Sequence, residues 1–248
     1  NNTTSYSSPV QVGALTDWAQ VATGYGSIAV KTNGTIWGWG LNDSNMIVAD
    51  SRVGNTYLPT QVNNDKDWVR IEGGKNHVIA QKNDGTIWAW GESSMGQLGS
   101  GDLVSYTNRP QLVSADKWID FSAGFAVSYA VKNDGTLWAW GRNNFGQLGD
   151  GTTENRNVPV QVGTDKNWKT VQAKGFQATM LTKADGSVWY MGWNTFGSFG
   201  NGTYTNAMVP TKNDNLNLLN TPQYNHREVL AANKKAKGRM QEKDLQAN

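Results

Sequence analysis

Residues 127–141 read VSYAVKNDGTLWAWG, two short apolar segments joined by Asn133-Asp134-Gly135. Asn and Asp tolerate turn conformations and Gly supplies a positive φ at little steric cost, so the junction predicts a tight hairpin turn between strands 127–132 and 136–141. Alternation along TLWAWG puts Leu137 and Ala139 on one face and Trp138 and Trp140 on the other. A strand that is apolar on both faces must be covered on both.

The hairpin recurs. KTNGTIWGWG (31–40), KNDGTIWAWG (82–91), KNDGTLWAWG (132–141) and KADGSVWYMG (183–192) follow one another at 50 to 51 residues, and Trp18, Trp68, Trp118 and Trp168 keep the same step. Pro9, Pro59, Pro110, Pro159 and Pro210 each open a further strand-like segment, and the 12 Trp fall three per repeat. The third repeat serves as the example: its strands are RPQLV (109–113), KWIDF (117–121), VSYAVK (127–132) and TLWAWG (136–141). A single four-stranded unit cannot cover its own apolar faces, so the units are expected to stack radially as propeller blades.

Composition agrees with an all-β chain. Gly is 28 of 248 residues, and Asn, Thr, Val and Trp are plentiful, which favours strands and tight turns over a helical bundle. No apolar run reaches the roughly 18 residues that cross a bilayer, so no membrane insertion is expected. The net charge of +2 gives no broad electrostatic footprint for nucleic acid. Its excess is local, because residues 213–248 carry six basic side chains against four acids.

The unit KNDGTLWAWGRNNFGQLGDGT resembles the repeat of the RCC1 (regulator of chromosome condensation) family, most clearly in Gly91-Glu92-Ser93-Ser94-Met95-Gly96-Gln97-Leu98-Gly99 and Gly141-Arg142-Asn143-Asn144-Phe145-Gly146-Gln147-Leu148-Gly149. The regularity of the units looks bacterial or viral in type. The resemblance implies a β-propeller of four-stranded blades, usually seven. It covers about residues 1–212, in repeats of about 9–58, 59–109, 110–158 and 159–209, with 213–248 read as a linker and a basic, helix-prone tail. The first repeat departs from the pattern at LNDSNMIVAD (41–50), the fourth reads GSFG (197–200), and Met191 stands where Trp140 stands. Pro9 and Pro210 would claim the same strand position in a closed ring of four, and NNTTSYSS (1–8) resembles a repeat end, so the chain is expected to start mid-repeat and to form an arc or incomplete ring.

Catalytic chemistry does not assemble. There is no Cys, and the two His, His77 and His226, show neither HExxH nor HxH spacing, so a metal site is not expected. No GxxxxGK[ST], strand-following GxGxxG or GxSxG occurs, which removes a phosphate cradle and a nucleophile elbow. Asp84, Asp134 and Asp185 are assigned to hairpin turns, and Glu72 with Glu92 is a carboxylate pair that could converge on one face, which a single pair does by chance. No cofactor is expected.

Binding is what the architecture offers. The Gly-loop at 124–126 and the long GRNNFGQLG loop should emerge at one end of a blade and the NDG turns at the other. On the loop end the residues that vary between repeats are Tyr25, His77, Phe125 and Phe176 in one series and Leu41, Glu92, Arg142 and Trp193 in the other. Fixed scaffold with variable loops suits recognition of a protein partner or neighbouring subunit. The sequence therefore predicts a non-catalytic protein-binding or structural module within a larger assembly. Nucleotide exchange on a small GTPase, which the resemblance also implies, and a glycan-binding propeller are the alternatives. Arg227, Lys234, Lys235, Lys237 and Arg239 form the tail's candidate docking residues. An extracellular, cell-surface or virion setting is expected over a cytoplasmic or nuclear one.

Overall fold

A computed structural model describes residues 8, 15–42, 54–103, 105–173 and 178–219. Four antiparallel sheets of four strands follow one another along the chain. The first is β1 (Trp18–Thr23), β2 (Gly26–Lys31), β3 (Ile36–Gly40) and β4 (Thr56–Gln61); the second is β5 (Trp68–Gly73), β6 (His77–Lys82), β7 (Ile87–Glu92) and β8 (Tyr106–Ser114). The third is β9 (Trp118–Ala123), β10 (Val127–Lys132), β11 (Leu137–Gly141) and β12 (Arg156–Gln161); the fourth is β13 (Trp168–Gln172), β14 (Ala178–Lys183), β15 (Ser187–Gly192) and β16 (Ala207–Asn217). Each sheet is a meander, its strands in sequence order from the inner edge outward. The expected all-β propeller of four-stranded blades is the fold observed.

The blades are phased differently from the repeat reading. The segment 109–113 lies in β8, which pairs with β7 through Trp88 opposite Leu112, so it is the outermost strand of the second sheet and not the first strand of the third. In the same way Trp138 of β11 lies opposite Gln161. A periodic sequence is unchanged by where the repeat is cut, and hydrogen bonding alone sets the phase. With this phase Pro210 lies in β16, the outer strand of the fourth sheet, and the surplus copy is the one at Pro9, outside the described residues. β16 also runs to Asn217, past the expected end of the repeats at 212.

The two-faced strands do what their alternation requires. Trp140 is buried among Ile79, Ile87, Ala89 and Leu98 of the second sheet, while Leu137 and Ala139 are buried on the opposite face with Trp168 and Val171 of the fourth. Inner strands meet in succession, β1 on β5, β5 on β9 and β9 on β13, and among the described residues no comparable packing returns from β13 to β1. The sheets form an open arc.

One polar device fixes every hairpin turn. Asp134 Oδ1 accepts from the backbone N–H and hydroxyl of Thr136 at 3.0 and 2.7 Å, and Thr136 Oγ1 accepts from Trp138 Nε1 at 2.8 Å. Asn33, Asp84 and Asp185 do the same with Thr35, Thr86 and Ser187, and Trp37, Trp88 and Trp189 complete the relay. Those bonds, first from the hydroxyl and then from the backbone, hold the carboxyls of Asp84, Asp134 and Asp185 below the ordinary carboxylate range. Gly135, at φ +79°, carries the turn, and a Cβ there would collide with the Lys166 carbonyl of the fourth sheet's approach.

The turn end also carries a lysine in each blade. Lys31, Lys82, Lys132 and Lys183 sit over the pairs Trp18/Trp37, Trp68/Trp88, Trp118/Trp138 and Trp168/Trp189, with the ammonium of Lys132 3.8 Å from the Trp138 ring. Each is ion-paired, to Asp17, to Asp65 and Asp67, to Asp116 and to Asp165 respectively. Burial pulls the Lys82 pKa down, but the bonds and charges of Asp65 and Asp67 outweigh it and leave the value raised.

Candidate functional site

The opposite end of the sheets gathers the loops. The long loops of the third and fourth blades are each held by a buried asparagine, Asn143 and Asn194. In the third blade Asn143 Nδ2 donates to Asp150 Oδ1 and the Thr152 carbonyl, both at 3.0 Å, and Asn143 Oδ1 accepts from Leu148 N at 2.9 Å. Asn194 repeats this with Thr203 and Phe199 in the fourth blade. The Gln of GQLG folds inward, Gln147 Oε1 accepting from Phe145 N at 2.8 Å, and Gly99 lies flat against the Trp140 indole, where a Cβ would be 2.7 Å from Nε1. Burial raises the Asp150 pKa, while bonds from Thr152, Arg156 and Asn143 outweigh it and leave the carboxyl below its ordinary value. Variable side chains therefore stand on a fixed frame.

Two groups of exposed and half-buried side chains occupy that frame. At the inner edge Thr23, Gly73, Ala123 and Ala173, the same position in all four blades, line a cleft of about 490 Å³. Tyr25 and Phe125 flank it, with the Lys75 ammonium between them at 5.0 Å from the Tyr25 ring and 4.3 Å from the Phe125 ring. Farther out Phe145 and Trp193 stack at 5.5 Å, Trp193 meets Phe196 edge-on at 5.2 Å, and the Arg142 guanidinium lies over Phe145. Among the described residues neither Lys75 nor Arg142 has a carboxylate partner. A smaller recess between the groups is lined by Lys75, Asn76, Glu92, Phe125 and Arg142, which puts the Gly-loops and the long loops at one end as expected.

The residues singled out from sequence fare differently. Tyr25, Phe125, Arg142 and Trp193 belong to the two groups, and Leu41 is half-buried just beyond β3. Glu92 accepts from Asn76 Nδ2 at 2.7 Å and from Ser94 Oγ at 2.6 Å, whereas Glu72 lies 3.7 Å from Arg70, so the two acids have separate partners. His77 departs from its expected place on the surface: it is 0% exposed. Ser128 Oγ donates to the Gln97 carbonyl, so His77 Nε2 donates to Ser128 at 2.9 Å and joins the second sheet to the third. Phe176 and the tail residues Arg227, Lys234, Lys235, Lys237 and Arg239 lie outside the described residues.

Lys75, Phe145 and Phe196 were missed. Phe145 and Phe196 occupy the same place in successive loops, NNFG and NTFG, and Met95 fills it in the second blade, so lining up the long loops position by position would have found them. Among the described residues no three His, Asp or Glu side chains converge. The chemistry of this end is that of aromatic faces, two cations and a hydrogen-bonded glutamate.

Comparison with known proteins bears on this geometry. Residues 84–131 and 134–175 match the family model described as the regulator of chromosome condensation (RCC1) repeat, and a second model of that description matches 118–147. A regulator of chromosome condensation from Mus musculus is 29% identical over 94 residues, 36% of this chain and 22% of that protein. The probable E3 ubiquitin-protein ligase HERC6 of Homo sapiens is 31% identical over 183 residues, 70% of this chain and 18% of that protein. The chain thus spans about a fifth of the length of these relatives. Among solved structures, Prp20p from Saccharomyces cerevisiae, described with its binding to Gsp1p and histones, superposes with a TM-score of 0.73 at 20% identity, over 83% of this chain and 53% of that one. These names overturn the expected extracellular, cell-surface or virion setting, because they point to chromosomes and histones. The bacterial or viral character read from the repeats finds no support in them.

Proposed function

From a chain that carries RCC1 repeats, we propose a non-catalytic protein-binding module whose recognition surface is the loop end of the blades. The observation that carries this reading is the asymmetry of the two ends. At the turn end Lys31, Lys82, Lys132 and Lys183 are each spent on an Asp side chain and on the indoles beneath them. At the loop end Tyr25 and Phe196 are exposed, and Lys75 and Arg142 rest on aromatic rings with no carboxylate partner among the described residues. Exposed aromatics and arginine on a rigid frame are the groups that dominate protein interfaces, since they bury much area at small entropic cost. The regulator's name and the histone and Gsp1p binding of Prp20p support a protein as the partner class. HERC6 is named for ligase activity, but this chain matches 18% of it, and that activity is not carried over.

The test is affinity capture with the whole chain immobilised, comparing wild type with Tyr25→Ala/Phe125→Ala and with Phe145→Ala/Phe196→Ala. Loss of a captured protein by about tenfold in either loop variant, with full capture by the turn-end variant Lys117→Ala, is expected. Capture that survives both loop variants contradicts the reading. Nucleotide release from a GTPase accelerated by the chain contradicts its non-catalytic part, and binding to an immobilised glycan lost on Trp193→Ala would move the ligand from protein to sugar.

A further inference from the structure

The cations that lie over aromatic rings follow one rule at most of their places. Lys31, Lys82, Lys132 and Lys183 each cover two indoles and each also hold an Asp carboxylate, Lys31 at 3.2 Å and Lys132 at 2.7 Å. Arg70 does the same away from the turns, its guanidinium 4.4 Å from the Phe121 ring and 2.7 Å from Asp120. The ring and the carboxylate play different parts. An aromatic face attracts a cation weakly, whereas a carboxylate supplies the charge-assisted bonds that offset the hydration lost on burial.

Lys75 and Arg142 break the rule. The Lys75 ammonium stands between Tyr25 and Phe125, and the Arg142 guanidinium lies 5.8 Å from the Phe145 ring, yet among the described residues neither makes an ion pair. Both side chains are half-buried, and Arg142 Nε donates to a neutral acceptor, Asn144 Oδ1, at 3.4 Å. One hairpin of the third sheet fixes both backbones: Lys75 N donates to the Gly124 carbonyl at 3.2 Å and Arg142 N to the Ala126 carbonyl at 2.8 Å.

The two exceptions meet in one place. Lys75, between β5 and β6, and Arg142, just past β11, line the same recess with Glu92, a space of about 80 Å³. The Glu92 carboxylate accepts from Asn76 and Ser94 and pairs with neither cation, so two positive charges stand there against one negative. A drug-sized ligand takes about 300–1,000 Å³, so this recess admits the end of a single side chain. Tyr25 and Phe125 border it on one side, and Phe145, Trp193 and Phe196 lie on the other.

Resting on the reading of the loop end as a protein-binding surface, we propose that this recess receives one aspartate or glutamate carboxylate of the partner, shared by Lys75 and Arg142. The carboxylate supplies what Lys31, Lys82, Lys132, Lys183 and Arg70 have and these two lack. Because aromatic rings stand on both sides of the recess, the partner's acid is bracketed by apolar side chains, one set against Tyr25 and Phe125 and the other against Phe145 and Phe196. The partner segment is thus acidic at one point and apolar around it.

Peptide selection tests it. A random peptide library displayed on phage is selected on the immobilised full chain, and the proposal expects enrichment of sequences in which a single Asp or Glu is bracketed by apolar residues. Replacing that acid by its amide in a selected peptide should weaken binding at least about tenfold. Lys75→Met/Arg142→Met should weaken it as much, and the two changes together should cost no more than either, since each removes the same contact. Glu92→Gln should tighten binding about twofold to threefold, a sign that misfolding cannot produce. Selected peptides that carry no acid and are lost with Phe145→Ala/Phe196→Ala overturn the inference and leave the loop end a recognition surface. Acidic peptides indifferent to Lys75 and Arg142 overturn it as well. So does a single-stranded oligonucleotide that binds more tightly than any selected peptide and is lost with the same double variant, which would make the anion a phosphate. If nothing is selected the inference fails, and the capture experiment decides the wider reading alone.

Discussion

The turn end and the loop end of each blade are built from the same strands, yet they treat side chains in opposite ways. At the turn end one solution is used four times: an Asp or Asn caps the turn, a hydroxyl passes the bond to an indole, and a lysine covers the rings. At the loop end the backbone is fixed just as firmly, by Asn143 and Asn194 and by the inward Gln147, but the outward residues change from blade to blade. Uniformity marks the groups that hold the fold, and variation on a rigid frame marks the groups free to bind.

The largest effect should come from the shared core beneath both ends. Trp140→Ala is expected to cost about 3–5 kcal/mol, because the indole is fully buried between the second and third sheets and its Nε1 donates to the Gln97 carbonyl. The urea midpoint should fall accordingly. Next, Asn143→Ala strips the loop frame of its buried anchor and should cost about 2 kcal/mol, read in the same melt. A loss as small as that of a surface site would make the loop a soft one and blur the contrast. Thr136→Val removes one turn relay, leaving Asp134 and Trp138 Nε1 without their shared hydroxyl, for about 1 kcal/mol.

Acid separates the ends less but with a definite sign. The carboxyls of Asp150, Asp134, Asp84 and Asp185 titrate below their ordinary range in the folded chain. Their contribution is present above the unfolded value of about 3.9 and is lost as pH falls through the lower folded values. Urea midpoints should therefore be flat from neutral pH to about 5 and drop below about 4, and Asp150→Asn should shallow that drop. The smallest effect on stability belongs to Phe196→Ala, within about 0.5 kcal/mol, because the ring is exposed; its expected loss is in partner capture.

Much of this was legible in the sequence. The NDG turns, the two-faced strands and the placing of Gly-loops with long loops follow from alternation and turn chemistry, and they stand. The phase of the sheets does not follow from periodicity, because RPQLV reads as a strand whichever neighbour it pairs with. β16 runs past the expected boundary because Lys212–Asn217 is mostly polar and does not carry the repeat pattern, so the sequence gives no sign that the strand continues. His77 was misplaced because a histidine at a strand start looks like a loop residue until Ser128 of the next blade is seen beside it. Phe145 and Phe196 were overlooked because each follows polar residues in its own loop, and their common place shows only across repeats.

Photo-crosslinking tests the central claim most directly. A photoreactive amino acid is placed in the full chain at Phe196 on the loop end and, separately, at Lys117 on the turn end, and the adducts formed with cell protein are identified by mass spectrometry. The account predicts a defined protein adduct from position 196 and none from position 117. Adducts from position 117 alone would contradict it.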